Sequence, residues 1–184
     1  MAAPVQAGDL LIATVSLIDP NFDHSVVLVC HHDDSQGSYG LVLNRPITVP
    51  AELREEFAFT EGRLFLGGPV EQGRMQILHP FDNYTPKARQ VLPGLWVGGD
   101  WLAMQKAFDT KTLEPAECRF FLGYSGWDKG QLAGEFEADA WIKVRGTVEL
   151  IMDTPPEHLW ARAIRKCSDE QPLYTNFPDD PSLN

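Results

Sequence analysis

Arg119-Phe120-Phe121-Leu122-Gly123-Tyr124-Ser125-Gly126-Trp127-Asp128-Lys129-Gly130-Gln131-Leu132 is the stretch on which the fold turns. It opens with an apolar run suited to a buried strand. The run breaks at glycines and turns toward a helix. Asp128 is placed to cap that helix, and Gln131, three residues on, can reach back to the cap's N–H. Leu132 and Phe136 are four apart, which makes one helical face apolar. A tight strand–turn–helix of this kind predicts free backbone N–H groups, Ser125, Trp127 and Lys129 at one edge of a sheet, a common location for sites.

On the N-terminal side the sequence predicts strands over Leu10–Ala13, Ser25–His31 and Tyr39–Asn44, the last stopped by Pro46. Leu53 and Phe57, four apart among acidic residues, predict a short amphipathic helix from Pro50 to Phe59. Leu64–Leu66 leads into the sharp turn Gly67-Gly68-Pro69-Val70, and Arg74–His79 predicts a further strand. Gln90–Leu92 and Leu95–Val97 flank Pro93-Gly94, a hairpin signal. Asp100 is placed to cap a helix bearing Trp101, Met104 and Phe108.

On the C-terminal side, Trp141–Val144 and Thr147–Ile151 are strand-like around Gly146. Thr154-Pro155-Pro156-Glu157 is a helix start, with a cap, proline at the first position and an acid in the first turn. Leu159, Trp160, Ala163, Ile164 and Cys167 then form a helical stripe. Many strands with few interspersed helices predict an α+β architecture. The length fits one domain, 1–184, with its core over about 8–167 and a polar tail over 168–184.

Bulk composition narrows the function. The net charge of −11 opposes non-specific nucleic-acid binding, which needs clustered Lys and Arg, and opposes docking on anionic membranes. Only Arg162, Arg165 and Lys166 approach a basic cluster. No run reaches the roughly 18 apolar residues of a membrane helix. The N-terminus has neither a basic start nor a long apolar core, so no secretory signal is expected. Three scattered cysteines fit a reducing, cytoplasmic setting. Small molecules or proteins remain as partners, and the sequence leaves the oligomeric state open.

Candidate chemistry is sparse. Gly123-Tyr124-Ser125-Gly126-Trp127 nearly matches the hydrolase elbow, but Trp127 stands in place of its last glycine. The alternative reading is a tight turn in which Ser125 bonds locally. His31-His32-Asp33-Asp34 holds four possible ligands, yet adjacent strand residues face opposite ways. No zinc-finger, metalloprotease, Walker or dinucleotide spacing occurs, so no metal or cofactor is expected. One constellation remains: Asn44, Arg45, Gly67, Gly68, His79, Ser125, Trp127 and Gln131 lie at or near predicted strand ends. If those ends converge they form a polar ligand pocket with an aromatic wall. The competing reading is that Asn44 and Arg45 merely cap and solvate a strand end.

In order, Leu10–Ala13, Asp19-Pro20-x-Phe22-x-x-Ser25-Val26-Val27, Gly40-Leu41-Val42-Leu43-Asn44-Arg45-Pro46, Gly67-Gly68-Pro69-Val70, Leu78-His79, Gly123–Trp127 and Gly130-Gln131-Leu132 resemble the AlgH/YqgE family of uncharacterised bacterial proteins. Glu135, Trp141 and Leu159-Trp160 also fit, and the resemblance runs from about Gly8 to Ile164. Val15, Asp128-Lys129 and Ala138–Ala140 depart from the family's usual turn residues. The resemblance implies a split mixed β-sheet curled into a pseudo-barrel with flanking helices, in a cytoplasmic bacterial protein. It implies no settled activity and no catalytic residues. Its label of transcriptional regulation comes from a member linked to alginate production. The leading expectation is therefore a non-enzymatic binder of a small ligand or protein, with a possible regulatory role. The alternatives are a hydrolase-like enzyme using Ser125 and His79, and a direct DNA-binding regulator.

Overall fold

The computed structural model describes residues 4–81 and 87–170. Its strands are β1 (Asp9–Ala13), β2 (Val26–Asp33), β3 (Gly37–Val42), β4 (Leu64–Leu66), β5 (Val70–His79), β6 (Ala88–Leu92), β7 (Leu95–Gly98), β8 (Arg119–Trp127) and β9 (Trp141–Arg145). The helices are α1 (Trp101–Asp109), α2 (Gln131–Glu137), α3 (Val148–Met152) and α4 (Pro156–Glu170). Among the described residues the strands form one sheet in the order β6-β7-β5-β8-β3-β2-β1-β9, with β4 added against β8. Only the β4–β8 pair is parallel, so the sheet is mixed and the architecture α+β, as expected.

β8 is the common member of both halves of this sheet. Its first residues pair with β4 and β5, and Ser125–Trp127 pair with β3. It therefore does not break at Gly123 and Gly126: both lie inside one continuous strand, and the expected turn comes later, at Asp128–Gly130. The helix cap shifts with it. Gly130, left-handed at φ 77°, occupies the cap position of α2, not Asp128. The reach-back survives, since Asp128 N–H donates to Gln131 Oε1 at 3.0 Å.

The continuity of β8 depends on a backbone crossing. Phe120–Leu122 pair with β4 on one edge and β5 on the other. The connection Gly67–Pro69 must therefore pass over the face of β8. A Cβ on Gly67 would lie 2.4 Å from Gly123 O, and one on Gly68 2.3 Å from the Tyr124 carbonyl. Glycine lets the two backbones touch there, and Gly123 takes φ 70° beneath the crossing.

The two faces of the sheet bury separate cores. Leu10, Ile12, Leu28, Leu41 and Ile142 pack with Leu159, Trp160, Ala163, Ile164 and Cys167 of α4, and with Val91, Leu92, Leu95 and Val97 of the β6–β7 hairpin. A Cβ on Gly8 would lie 2.5 Å from Val91 O, so the sheet curls until β6 reaches the start of β1. No described pairing joins β6 to β9, and the curled sheet is not a closed barrel. On the opposite face α2 covers Leu11, Val27, Val42 and Trp127, and α1 covers Leu64, Ile77 and Phe120.

Two expected elements change type. The strand expected over Thr147–Ile151 is replaced by the short helix α3, capped by Thr147, whose hydroxyl accepts the Leu150 N–H. Its far end is held by Arg119, buried without a carboxylate partner among the described residues, which donates to Ile151 O and Leu43 O, and by Arg63, which donates to Met152 O. Cations suit a helix C-terminus, where the carbonyls carry partial negative charge. The helix expected over Pro50–Phe59 is instead two isolated 3₁₀ turns, Ala51–Leu53 and Ala58–Thr60. Leu53 stays exposed, so no apolar face repays helix nucleation there. Part of the loop expected over Pro80–Pro86 and the tail beyond Glu170 lie outside the described residues. Among the described residues no helix is long and apolar enough to cross a membrane.

Candidate functional site

The residues expected to converge separate into scaffold and cleft. Asn44 Oδ1 accepts the Val26 N–H at 2.9 Å and its Nδ2 donates to His24 O at 2.8 Å. Arg45 Nη2 donates to Asp23 O. Both tie the loop before β2 to the end of β3, and neither lines a described cavity. Gly67 and Gly68 are consumed by the crossing. Ser125 is fully buried beneath it, donating Oγ to Gly67 O at 3.1 Å. The glycine–serine motif resembling a hydrolase elbow is thus one half of a packing joint, and Gly67-Gly68 is the other.

His79 does not meet Ser125. Leu78 pairs with Arg119, which places His79 beyond the start of β8. Ser125 lies six positions along that strand, about 20 Å away at the usual rise per residue. Both imidazole nitrogens of His79 are occupied: Nε2 faces Gly98 O at 3.0 Å, and Nδ1 accepts the Phe81 N–H at 3.3 Å. Burial holds this imidazole below the usual histidine pKa, only partly offset by the Gly98 carbonyl. The Ser125–His79 pair is therefore corrected to two independent structural groups.

Trp127 is likewise mostly structural. Its indole is buried against Phe22 and Trp141, and its Nε1–H donates to Glu135 Oε2 at 2.8 Å. Trp141 Nε1–H reaches the same oxygen at 2.6 Å, while Gln131 Nε2 donates to Glu135 Oε1 at 2.9 Å. One carboxylate thus clasps two indoles and α2. Burial pushes the Cys118 thiol up to about 12 and raises Cys30 as well, so both behave as small hydrophobes.

Trp127 and Gln131 do border an open cleft of about 1000 Å³, formed where β2–β3, β5, the β6–β7 hairpin and β8 surround one another. Its basic lining is His31, Arg74, Lys87 and Arg89, and Asp128 is the one carboxylate among the described lining residues. Arg74 pairs with exposed Glu71 at 3.3 Å. Lys87 and Arg89 have no ion-pair partner among the described residues. Tyr39 and Tyr124 meet edge-to-face at 6.0 Å on its wall. Burial raises the Tyr39 phenol to about 12, so it stays a neutral donor at physiological pH. Positive side chains, phenols and Gln76 suit an anionic ligand.

Sequence reasoning missed most of this cleft. A signal was present: Arg74-Met75-Gln76-Ile77 alternates polar and apolar, so one face of β5 is polar. What the pattern does not show is that β6 curls over to bring Lys87 and Arg89 opposite that face.

The AlgH-like family model (DUF179) matches residues 10–171. A UPF0301 protein of Chlorobium luteolum is 38% identical over 181 residues, covering 97% of this chain and 94% of its own length. A UPF0301 protein of Cytophaga hutchinsonii is also 38% identical, over 180 residues, with 96% and 98% covered. The solution structure of the AlgH protein from Pseudomonas aeruginosa superposes with a TM-score of 0.73 at 27% identity, covering 97% of each chain. The crystal structure of protein DIP2367 from Corynebacterium diphtheriae gives the same TM-score at 20% identity, covering 96% and 95%, and shares the fold alone. The match of the family model, near-complete coverage by relatives at 38% identity and the shared fold agree: the chain belongs to the AlgH-like family.

Proposed function

We propose that this protein binds a small anionic ligand in the cleft between β5, the β6–β7 hairpin and β8, and that binding rather than bond-breaking is its primary role. The observation that carries the reading is charge placement. In a chain of net charge −11, the cleft gathers three fixed cations, Arg74, Lys87 and Arg89, against one acid, Asp128, among its described lining residues. A concave site lined by one sign of charge concentrates the opposite ion. Calorimetric titration with polyanionic metabolites tests it: the chain should bind at least one, and Lys87→Gln with Arg89→Gln should weaken that affinity about tenfold or more. Unchanged affinity in the double variant would remove the cleft from the function. The free buried cysteines support a cytoplasmic setting. A regulatory role would then run through a ligand-dependent contact with another protein rather than through DNA.

A hydrolytic reading is second, and it needs a different serine. Ser38 borders the cleft with Oγ 2.6 Å from His32 Nδ1, and His32 Nε2 lies 3.1 Å from Asp34. Nucleophile, base and orienting acid are in reach of one another. Asp34 is almost fully exposed, so it holds the imidazole weakly. Covalent labelling of Ser38 by a fluorophosphonate, lost in Ser38→Ala and kept in Ser125→Ala, would establish this reading; absence of labelling dismisses it.

A further inference from the structure

A second cavity, of about 700 Å³, adjoins the cationic cleft. Its walls are mainly apolar, from Phe57, Phe59, Met75, Ile77, Trp101 and Leu122, with Glu56 and Gln105 also on the lining. Phe57 and Phe59 are half-buried and Trp101 is 37% exposed, so this surface is open to an occupant. The two cavities share Arg74, Met75, Gly98 and Gly99. That is where β7 leaves β5, since their ladder covers only Leu78 and His79. The edge of β5 at Arg74–Gln76 therefore has no described partner strand on that side. Successive strand residues face opposite ways, so Gln76 points into the cleft and Ile77 into the groove. The cavities lie on opposite faces of the sheet and communicate around a bare edge. Gly98 and Gly99 leave that passage without side chains.

We propose that the ligand of the cleft is an anionic amphiphile with a single flexible chain, its head beside Lys87 and Arg89 and its apolar chain turned over Gly98–Gly99 into the groove. This rests on the anion-binding reading above and adds the chemistry of the rest of the ligand. Charge selects the head, because the cleft is basic. Burial of apolar surface selects the tail, because the groove offers aromatic and aliphatic walls. The turn around the β5 edge selects flexibility, because a rigid fused ring cannot occupy both faces of a sheet at once.

The test uses the full chain and calorimetry below micelle-forming concentrations, with four probes. They are 1-oleoyl lysophosphatidate, oleate, glycerol 3-phosphate as a head alone, and monoolein as an uncharged tail. Lysophosphatidate or oleate should bind about tenfold or more tighter than glycerol 3-phosphate and monoolein. The tighter of the two identifies a phosphate or a carboxylate head. Trp101→Gln, at an exposed position, should lower amphiphile affinity toward that of the head alone, and Lys87→Gln with Arg89→Gln toward that of monoolein; thermal melts confirm folding. If glycerol 3-phosphate binds as tightly as lysophosphatidate and Trp101→Gln changes neither, the amphiphile is overturned while the anion-binding reading stands. If monoolein matches the amphiphiles and the charge variants have no effect, both fall. No binding of any probe overturns the amphiphile.

Discussion

His79 shows how a residue that looks catalytic in sequence can be structural. It is fully buried, with both nitrogens committed, and burial depresses its folded pKa below the unfolded value near 6.5. The depressed pKa means that the unfolded chain binds the proton more readily. The stability linked to His79 is therefore complete above about pH 6.5 and is lost as pH falls toward the folded pKa. Denaturation midpoints measured between about pH 7 and pH 5 should drop, and His79→Gln should flatten that drop. An unchanged slope in the variant would assign the pH dependence elsewhere. Ser125 carries the same lesson without titration, because its hydroxyl serves a backbone carbonyl across the crossing. Neither role was legible in the sequence. A buried serine and a catalytic one share the same letters and the same glycine neighbours, and only their partners differ.

At the scale of elements, the crossing of Gly67–Pro69 over β8 is the joint that lets β4 and β5 occupy opposite edges of one strand. Gly67→Ala should destabilise the fold by about 3 kcal/mol, since its Cβ would meet a carbonyl oxygen that cannot move without breaking the β8 ladder. Gly73→Ala, where nothing lies within 4 Å, is the control and should be close to neutral. Equal melting temperatures for the two variants would remove the crossing from the account. Most elements were legible in the sequence. The α4 stripe, the β6–β7 hairpin around Pro93-Gly94 and the Asp100 cap of α1 stand where local pattern puts them, the cap accepting the Ala103 N–H at 3.0 Å. Local pattern failed where a distant group decided the outcome. α3 is a helix in place of the expected strand, and Arg119 and Arg63 reach its end from 32 and 89 positions away.

For the whole molecule, charge acts in two opposite senses. The net acidic chain repels itself, while the cleft proposed to bind anions carries Arg74, Lys87 and Arg89. Raising ionic strength from about 20 mM to about 500 mM should raise the melting temperature by screening the first and weaken ligand binding by screening the second. Parallel thermal melts and titrations check it, and binding that strengthens with salt would rule out an electrostatic cleft. The sequence by itself determined the α+β class, most of the strands, the family and the acidic balance, because strand periodicity, turn residues and composition are local properties. Tertiary structure alone decided which polar residues share a cavity. Curling brings β6 over β5 and β8, so Lys87, Arg89, Arg74 and Tyr39 come together from four strands and loops. Distant backbone partners hold Asn44, His79 and Ser125 in the scaffold, and a strand end carries no record of which distant segment will meet it.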